Sequence, residues 1–205
     1  VQTVEATPVG TPFAETGTLT LTDAAQTITL ERSYINPVVV GFVATENGAQ
    51  PVQVRVDAVA GDQLTLRVQE PDHLDGTHTS ETVTYLVVEA GVHVLPDGTL
   101  LEAGTLDSGL LTTAGFEQVV FDAAFDSAPV IVSQVQSVNG PSFATTRQAN
   151  ASASGFEIAM QEEQALNGGG HAVETLGWVA VEAGAAAAGG LTLLAGQAAN
   201  VTDAA

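Results

Sequence analysis

The chain has 205 residues, 45% of them hydrophobic, which is enough for modest cores and too apolar for a disordered polymer. Its 24 acidic residues face four arginines (Arg32, Arg55, Arg67, Arg147) and no lysine, for a formal net charge of −20. That balance excludes nucleic acid and anionic membrane surfaces as partners, because phosphate binding needs lysine or arginine to displace counterions. The absence of cysteine excludes disulfides and thiol chemistry.

Residues 1–14 read as a linker with neither an initiator Met nor an apolar signal segment. The sequence is therefore expected to be a processed product or an excised piece of a longer repeat protein. Beyond the linker, Thr18–Thr22, Thr27–Leu30, Val52–Val56 and Leu64–Val68 alternate polar and apolar side chains, the pattern of half-buried strands. Turn signals at Asn47-Gly48, Ala60-Gly61-Asp62 and Pro71-Asp72 separate them. Val38–Val40 and Val83–Val88 are apolar on both faces and are expected to be central strands, as are Val130–Val132 and Leu176–Val181 further on. Further turns fall at Asn139-Gly140 and Ser154-Gly155. No run of about 18 apolar residues occurs, so no membrane insertion is expected. Short strands without a convincing amphipathic helix predict an all-β chain of two tandem antiparallel β-sandwich domains, each of about six strands.

The tandem reading comes from self-similarity. His78, Glu81, Tyr85, Glu89 and Gly91 recur as His171, Glu174, Trp178, Glu182 and Gly184, displaced by 93 residues (His78 to His171). Upstream, Pro37-Val-Val-Val and Asn47-Gly48 match Pro129-Val-Ile-Val and Asn139-Gly140, and Gln69-Glu70 matches Gln161-Glu162, at a displacement of 92 (Pro37 to Pro129). Glu15-Thr-Gly-Thr-Leu19 and Glu102-Ala-Gly-Thr-Leu106 correspond more loosely. One unit is placed at 15–91 and the second at 102–184, with 92–101 as linker. The tail at 185–205 is a linker or the start of a further repeat, since Thr99-Leu-Leu101 recurs at Thr192-Leu-Leu194.

Phe121-Asp-Ala-Ala-Phe125 followed by Pro129-Val-Ile-Val, then Gly155-Phe156-Glu-Ile158, then Trp178-Val-Ala-Val-Glu-Ala-Gly184, resembles the H-type lectin domain. The first unit is similar in a more diverged form, with Tyr34, Pro37, Leu64 and Tyr85 in the corresponding places. The resemblance covers most of both units, and the arrangement in tandem is like the repeated modules of large bacterial exported proteins. It implies a six-stranded antiparallel sandwich, binding of galactose- or N-acetylgalactosamine-type sugars, and frequent trimer formation.

Several polar residues are candidates for chemistry. His78 with Glu81 and His171 with Glu174 could ligate a metal or hold a sugar hydroxyl, or could be structural polar pairs that satisfy buried groups. Asp72, His73 and Asp75, followed by His78, are a weak metal candidate, with calcium as the conceivable ion, or else a solvated acidic loop. The second unit has Gln164, Leu166 and Gly168 near those first three places, whereas a metal required by the fold should recur. Glu81 and Glu89 fail as a glycosidase pair, because eight strand residues separate them by about 26 Å where about 5–10 Å is needed. Mid-strand Tyr85 and Trp178 are read as core rather than sugar-stacking residues. Asn139, Phe143 and Arg147 are the better placed ligand-binding residues, with Tyr34 as a further exposed candidate, although Arg55 and Arg147 equally suit local charge compensation. Asn150-Ala-Ser152 and Asn200-Val-Thr202 match the glycosylation sequon.

No nucleophile elbow, phosphate loop or Cys–His set supports an enzyme, and no cofactor is expected. The expected function is a secreted or cell-surface carbohydrate-binding or adhesion module, with glycans or neighbouring copies of itself as partners. The alternative is a structural repeat of an extracellular assembly. Self-repulsion at −20 is relieved by salt, whose screening length falls to about 3 Å at 1 M, so a saline setting is expected.

Overall fold

The computed structural model describes residues 13–166, 169–188 and 191–196; for residues 187, 188, 191 and 192 it describes only the backbone. Gly168, the sequon at Asn200-Val-Thr202, residues 1–12 of the N-terminal linker and residues 189, 190 and 197–205 of the tail lie outside the described residues. All regular structure among them is β-strand. The chain is all-β, and every strand pairing is antiparallel apart from an isolated bridge between Leu111 and Met160.

The first half contains β1 (Ala14–Leu21), β2 (Gln26–Tyr34), β3 (Pro37–Val43), β4 (Gln53–Gln69) and β5 (Glu81–Glu89). One sheet has the order β1-β5-β3, and β2 pairs with β4 in a second. β4 is a hairpin rather than a straight strand. Ten extended residues would separate Asp57 from Arg67 by about 33 Å, yet Arg67 Nε donates to Asp57 Oδ1 at 3.1 Å. The chain reverses at Gly61, whose φ of +60° suits glycine and sits at the Ala60-Gly61-Asp62 turn signal. Between the two sheets lies a core that includes Leu21, Leu30, Val39, Val56, Leu64, Leu66, Val83 and Val87.

The second half repeats this plan with β7 (Leu100–Ser108), β8 (Glu117–Val120), β9 (Val130–Val135), β10 (Ala144–Ser152), β11 (Gly155–Glu162) and β12 (Glu174–Val181). Its sheets have the orders β7-β12-β9 and β10-β11-β8, strand for strand the arrangement of the first half. Phe121, Phe156 and Trp178 pack in its core, with centroid separations of 5.8 Å (Phe121–Phe156), 5.8 Å (Phe121–Trp178) and 5.5 Å (Phe156–Trp178). Each closing-strand aromatic lies across a glycine of the opening strand. A Cβ on Gly17 would come 2.3 Å from the Tyr85 hydroxyl, and one on Gly104 would come 2.6 Å from the Trp178 ring. The loosely matching openings therefore share a physical requirement: only glycine leaves room for the ring paired opposite it.

Residues 92–101 were expected to be linker, yet much of this stretch is strand. β6 (Gly91–Val94) pairs with β7 and extends the second half's sheet. The tail contains a matching hairpin, β13 (Gly184–Ala188) with β14 (Leu191–Ala195), in which Gly184 stands where Gly91 does.

One expectation needs correction. β5 and β12 are central strands, but β3 and β9 each end their sheet's ladder. Val38 is apolar and fully buried for another reason. A third core, including Val38 and Val88 from the first half and Leu101, Ala103, Val179 and Val181 from the second, packs the outer faces of the two halves together. Both faces of β3 are covered because a second sandwich stacks on it.

Candidate functional site

Two equivalent cages of hydrogen bonds enclose Glu81 and Glu174. At the start of β5, Glu81 accepts hydrogen bonds from the Thr45 hydroxyl and from the backbone N–H of Asn47 (2.8 Å) and Gly48 (2.9 Å). At the start of β12, Glu174 accepts them from the Ser137 hydroxyl and from the N–H of Asn139 (2.9 Å) and Gly140 (2.8 Å). The Asn-Gly turn is thus wrapped around a carboxylate. Asn47 Nδ2 fastens the turn to Ser80 O, and Asn139 Nδ2 fastens its counterpart to Val173 O.

Each cage has a histidine between two carboxylates. His78 Nδ1 lies 2.8 Å from Glu70 Oε1, and its Nε2 lies 3.1 Å from Glu81 Oε1. His171 repeats the arrangement with Glu162 at 2.6 Å and Glu174 at 3.3 Å. Only an imidazolium can donate to an ionised carboxylate from both ring nitrogens. Burial pushes the His78 pKa down, but its bonds to Glu70 and Glu81 outweigh that and raise it. The Thr45 hydroxyl, the backbone donors and His78 hold Glu81 down to about 2 against its burial. For Glu174, burial pushes upward, and the donors from Ser137, Asn139, Gly140 and Arg55 bring the pKa below its ordinary value.

The two cages differ in one respect. Arg55, on β4 of the first half, is fully buried and reaches across to the second cage, 3.4 Å from Glu174 Oε1 and 3.4 Å from Gly140 O. Burial lowers its pKa more than the charge of Glu174 raises it. Other bonds cross the same junction. Gln136 Oε1 accepts from Val39 N–H while its Nε2 donates to Pro37 O, Gln134 donates to Val54 O, Gln53 to Ala144 O and Gln69 to Pro141 O.

The candidate residues divide accordingly. Tyr34, expected to be exposed, is instead buried in the first core, where its hydroxyl donates to Glu15 Oε2 at 3.2 Å. His78 with Glu81 and His171 with Glu174 are brought together as buried pairs. Asp72 accepts the Phe143 N–H at 2.8 Å, and His73 Nδ1 lies 2.9 Å from Glu163 Oε1, so both join the two halves. Asp75 accepts the Thr77 N–H within its own loop. Asn139 belongs to the second cage, while Arg147 lies exposed on β10, donating to Gln161 at 2.6 Å. Asp72 and Asp75, with Arg67, Gln69 and Glu70, line a cleft of about 200 Å³. Among the described residues no group of three His, Cys, Asp or Glu side chains is arranged to hold a metal. The residues missed from sequence are Glu70 and Glu162, which align in the repeat but lie eight and nine residues before their histidines with a loop between, and Arg55 as partner of Glu174.

No protein-family model and no solved structure matches this chain. The chain is similar to a protein named Halomucin from Haloquadratum walsbyi (strain DSM 16790 / HBSQ001), with 33% identity over 190 residues. The match takes in 87% of this chain and 2% of Halomucin, so the chain spans only a small part of the relative's length.

Proposed function

We propose that the chain is a non-enzymatic structural block of an extracellular or cell-surface protein in a saline medium, in which two lectin-like sandwiches are clamped into one rod-like element. The observation that carries this is the state of the repeated His–Glu apparatus. Both pairs are buried and saturated by internal donors, and the second is joined to the other half by Arg55. A binding site would instead present unsaturated polar groups to a ligand. The similarity to Halomucin, whose name couples salt with mucin, supports an exported and saline setting, as does a net charge of −20 without lysine.

A second reading, glycan binding of the H-type lectin kind, is favoured by the polar cleft beside Asp72 and Asp75, whose carboxylates could accept sugar hydroxyls. A glycan array, with and without calcium and including galactose and N-acetylgalactosamine, separates the two. We expect no binding in either condition. Saturable binding that is lost in Asp75→Ala would overturn the purely structural role.

A further inference from the structure

The two halves use one repeated pair of side chains differently. Arg147 and Gln161 in the second half correspond to Arg55 and Gln69 in the first, at a displacement of 92 (Arg55 to Arg147, Gln69 to Gln161). In the second half the pair is closed: Arg147 lies exposed and its Nε donates to Gln161 Oε1 at 2.6 Å. In the first half the same two atoms, Arg55 Nε and Gln69 Oε1, are buried and have no hydrogen-bond partner among the described residues. Arg55 Nη1 shares that state.

The junction between the halves explains the difference. Arg55 Nη2 turns to Gly140 O and to Glu174 Oε1, both at 3.4 Å, while Gln69 Nε2 donates to Pro141 O at 3.3 Å. The two side chains thus reach adjacent backbone carbonyls of the second half and end near one another without closing. The bond to Pro141 O also fixes the amide: Nε2 faces the carbonyl, and Oε1 is the atom left over. A buried donor and a buried acceptor remain, and each is costly unless bonded.

The chemistry of those atoms names the ligand. An anion would suit Arg55 Nε, but Gln69 Oε1, Glu174 and the carbonyls of Gly140 and Pro141 lie against the same two groups. A cation would suit those oxygens, but the guanidinium repels it. A neutral molecule that both accepts and donates meets both requirements, and water is the smallest. Gln69 also lines the cleft of about 200 Å³ beside Asp72 and Asp75, which gives water a way in from solvent.

We propose that a water molecule is held at the junction between the halves, accepting from Arg55 Nε and donating to Gln69 Oε1 in place of the direct bond that Arg147 makes to Gln161. The adjoining carbonyls of Gly140 and Pro141 offer a lone pair for its second hydrogen. The site rests on the reading of the junction as a structural joint and adds a component to it. A direct bond between Arg55 and Gln69 would remove the water and leave the joint, whereas loss of the Arg55–Glu174 coupling would remove the joint itself.

NMR on the full isotope-labelled chain tests it, since the four arginines give few Nε–H signals. Arg55 Nε–H should show a cross-peak to water of opposite sign in laboratory-frame and rotating-frame spectra, the mark of a held water rather than of proton exchange. Arg147, exposed and bonded directly to Gln161, should show exchange only in the same sample. Gln69→Met keeps the length of the side chain without its oxygen, so it should lose the Arg55 cross-peak. A crystal structure of the full chain should show the water within hydrogen-bonding distance of both atoms. A cross-peak that persists in Gln69→Met would overturn the proposal. So would a crystal structure in which Arg55 Nε bonds Gln69 Oε1 directly, or absence of the water from both measurements.

Discussion

His78 and Glu81 illustrate how one hydrogen-bonded pair sets opposite pH limits. The Glu81 carboxyl is held at about 2 against an ordinary 4.5, so its contribution is complete above about 4.5 and is lost as pH falls towards 2. The His78 pKa is raised above its ordinary 6.5, so its contribution is complete below 6.5 and is lost as pH rises through the folded value. In urea unfolding, the destabilisation caused by Glu81→Gln should therefore shrink on acidification below 4.5. That caused by His78→Gln should shrink on alkalinisation above 6.5. Differences between each variant and the parent cancel His93, held down by burial, and Glu102, pushed up by it. Differences that stay flat with pH would show that the cage does not bind its charged forms. At this scale the sequence was partly legible. The recurrence of His-x-x-Glu marked both pairs, whereas Glu70, just past the end of β4, and Glu162, the last residue of β11, gave no local spacing to connect them. Asp72, His73 and Asp75 resembled a metal cluster only because they are close in sequence. In the fold they turn to three different partners.

Among the elements, the closing strand determines its neighbour. Trp178 on β12 lies across Gly104 on β7, and Tyr85 on β5 across Gly17 on β1, in directly paired positions. Gly104→Ala would force a methyl group into the indole, and overpacking of this kind costs about 1–3 kcal/mol. Trp178 is the single tryptophan of the chain, so its emission should shift in the same variant. An unchanged midpoint with unchanged emission would contradict the packing. Period-two alternation located the strands well, because a half-buried strand writes its two faces into the sequence. It misplaced β3 and β9 because a strand covered by a neighbouring sandwich has the same composition as one in the middle of a sheet. It also left β6 as linker, since four residues are too few to show a period.

In the whole molecule, the decisive contacts join residues far apart in sequence. Arg55 and Glu174 are 119 residues apart, and no periodicity or motif connects an arginine on one repeat to a glutamate on the other. The repeat pointed to two units, but it could not show how they meet. The pair is buried, so salt that screens the surface charge of −20 reaches it much less. Its geometry is a single contact rather than a bidentate one, and Arg55 Nε and Nη1 have no hydrogen-bond partner among the described residues. Removing one member therefore matters mainly through the charge left behind.

A double-mutant cycle on Arg55 and Glu174, read by urea unfolding in salt, tests most directly whether the repeated glutamate cage is a structural joint. Glu174→Gln strands a buried arginine and should cost about 3–5 kcal/mol. Arg55→Met leaves Glu174 its Ser137, Asn139, Gly140 and His171 donors, so it should cost less. The double variant should be more stable than the sum predicts, with a coupling of at least about 1 kcal/mol. Additivity within about 0.5 kcal/mol would mean that the pair does not join the halves, and would contradict the account.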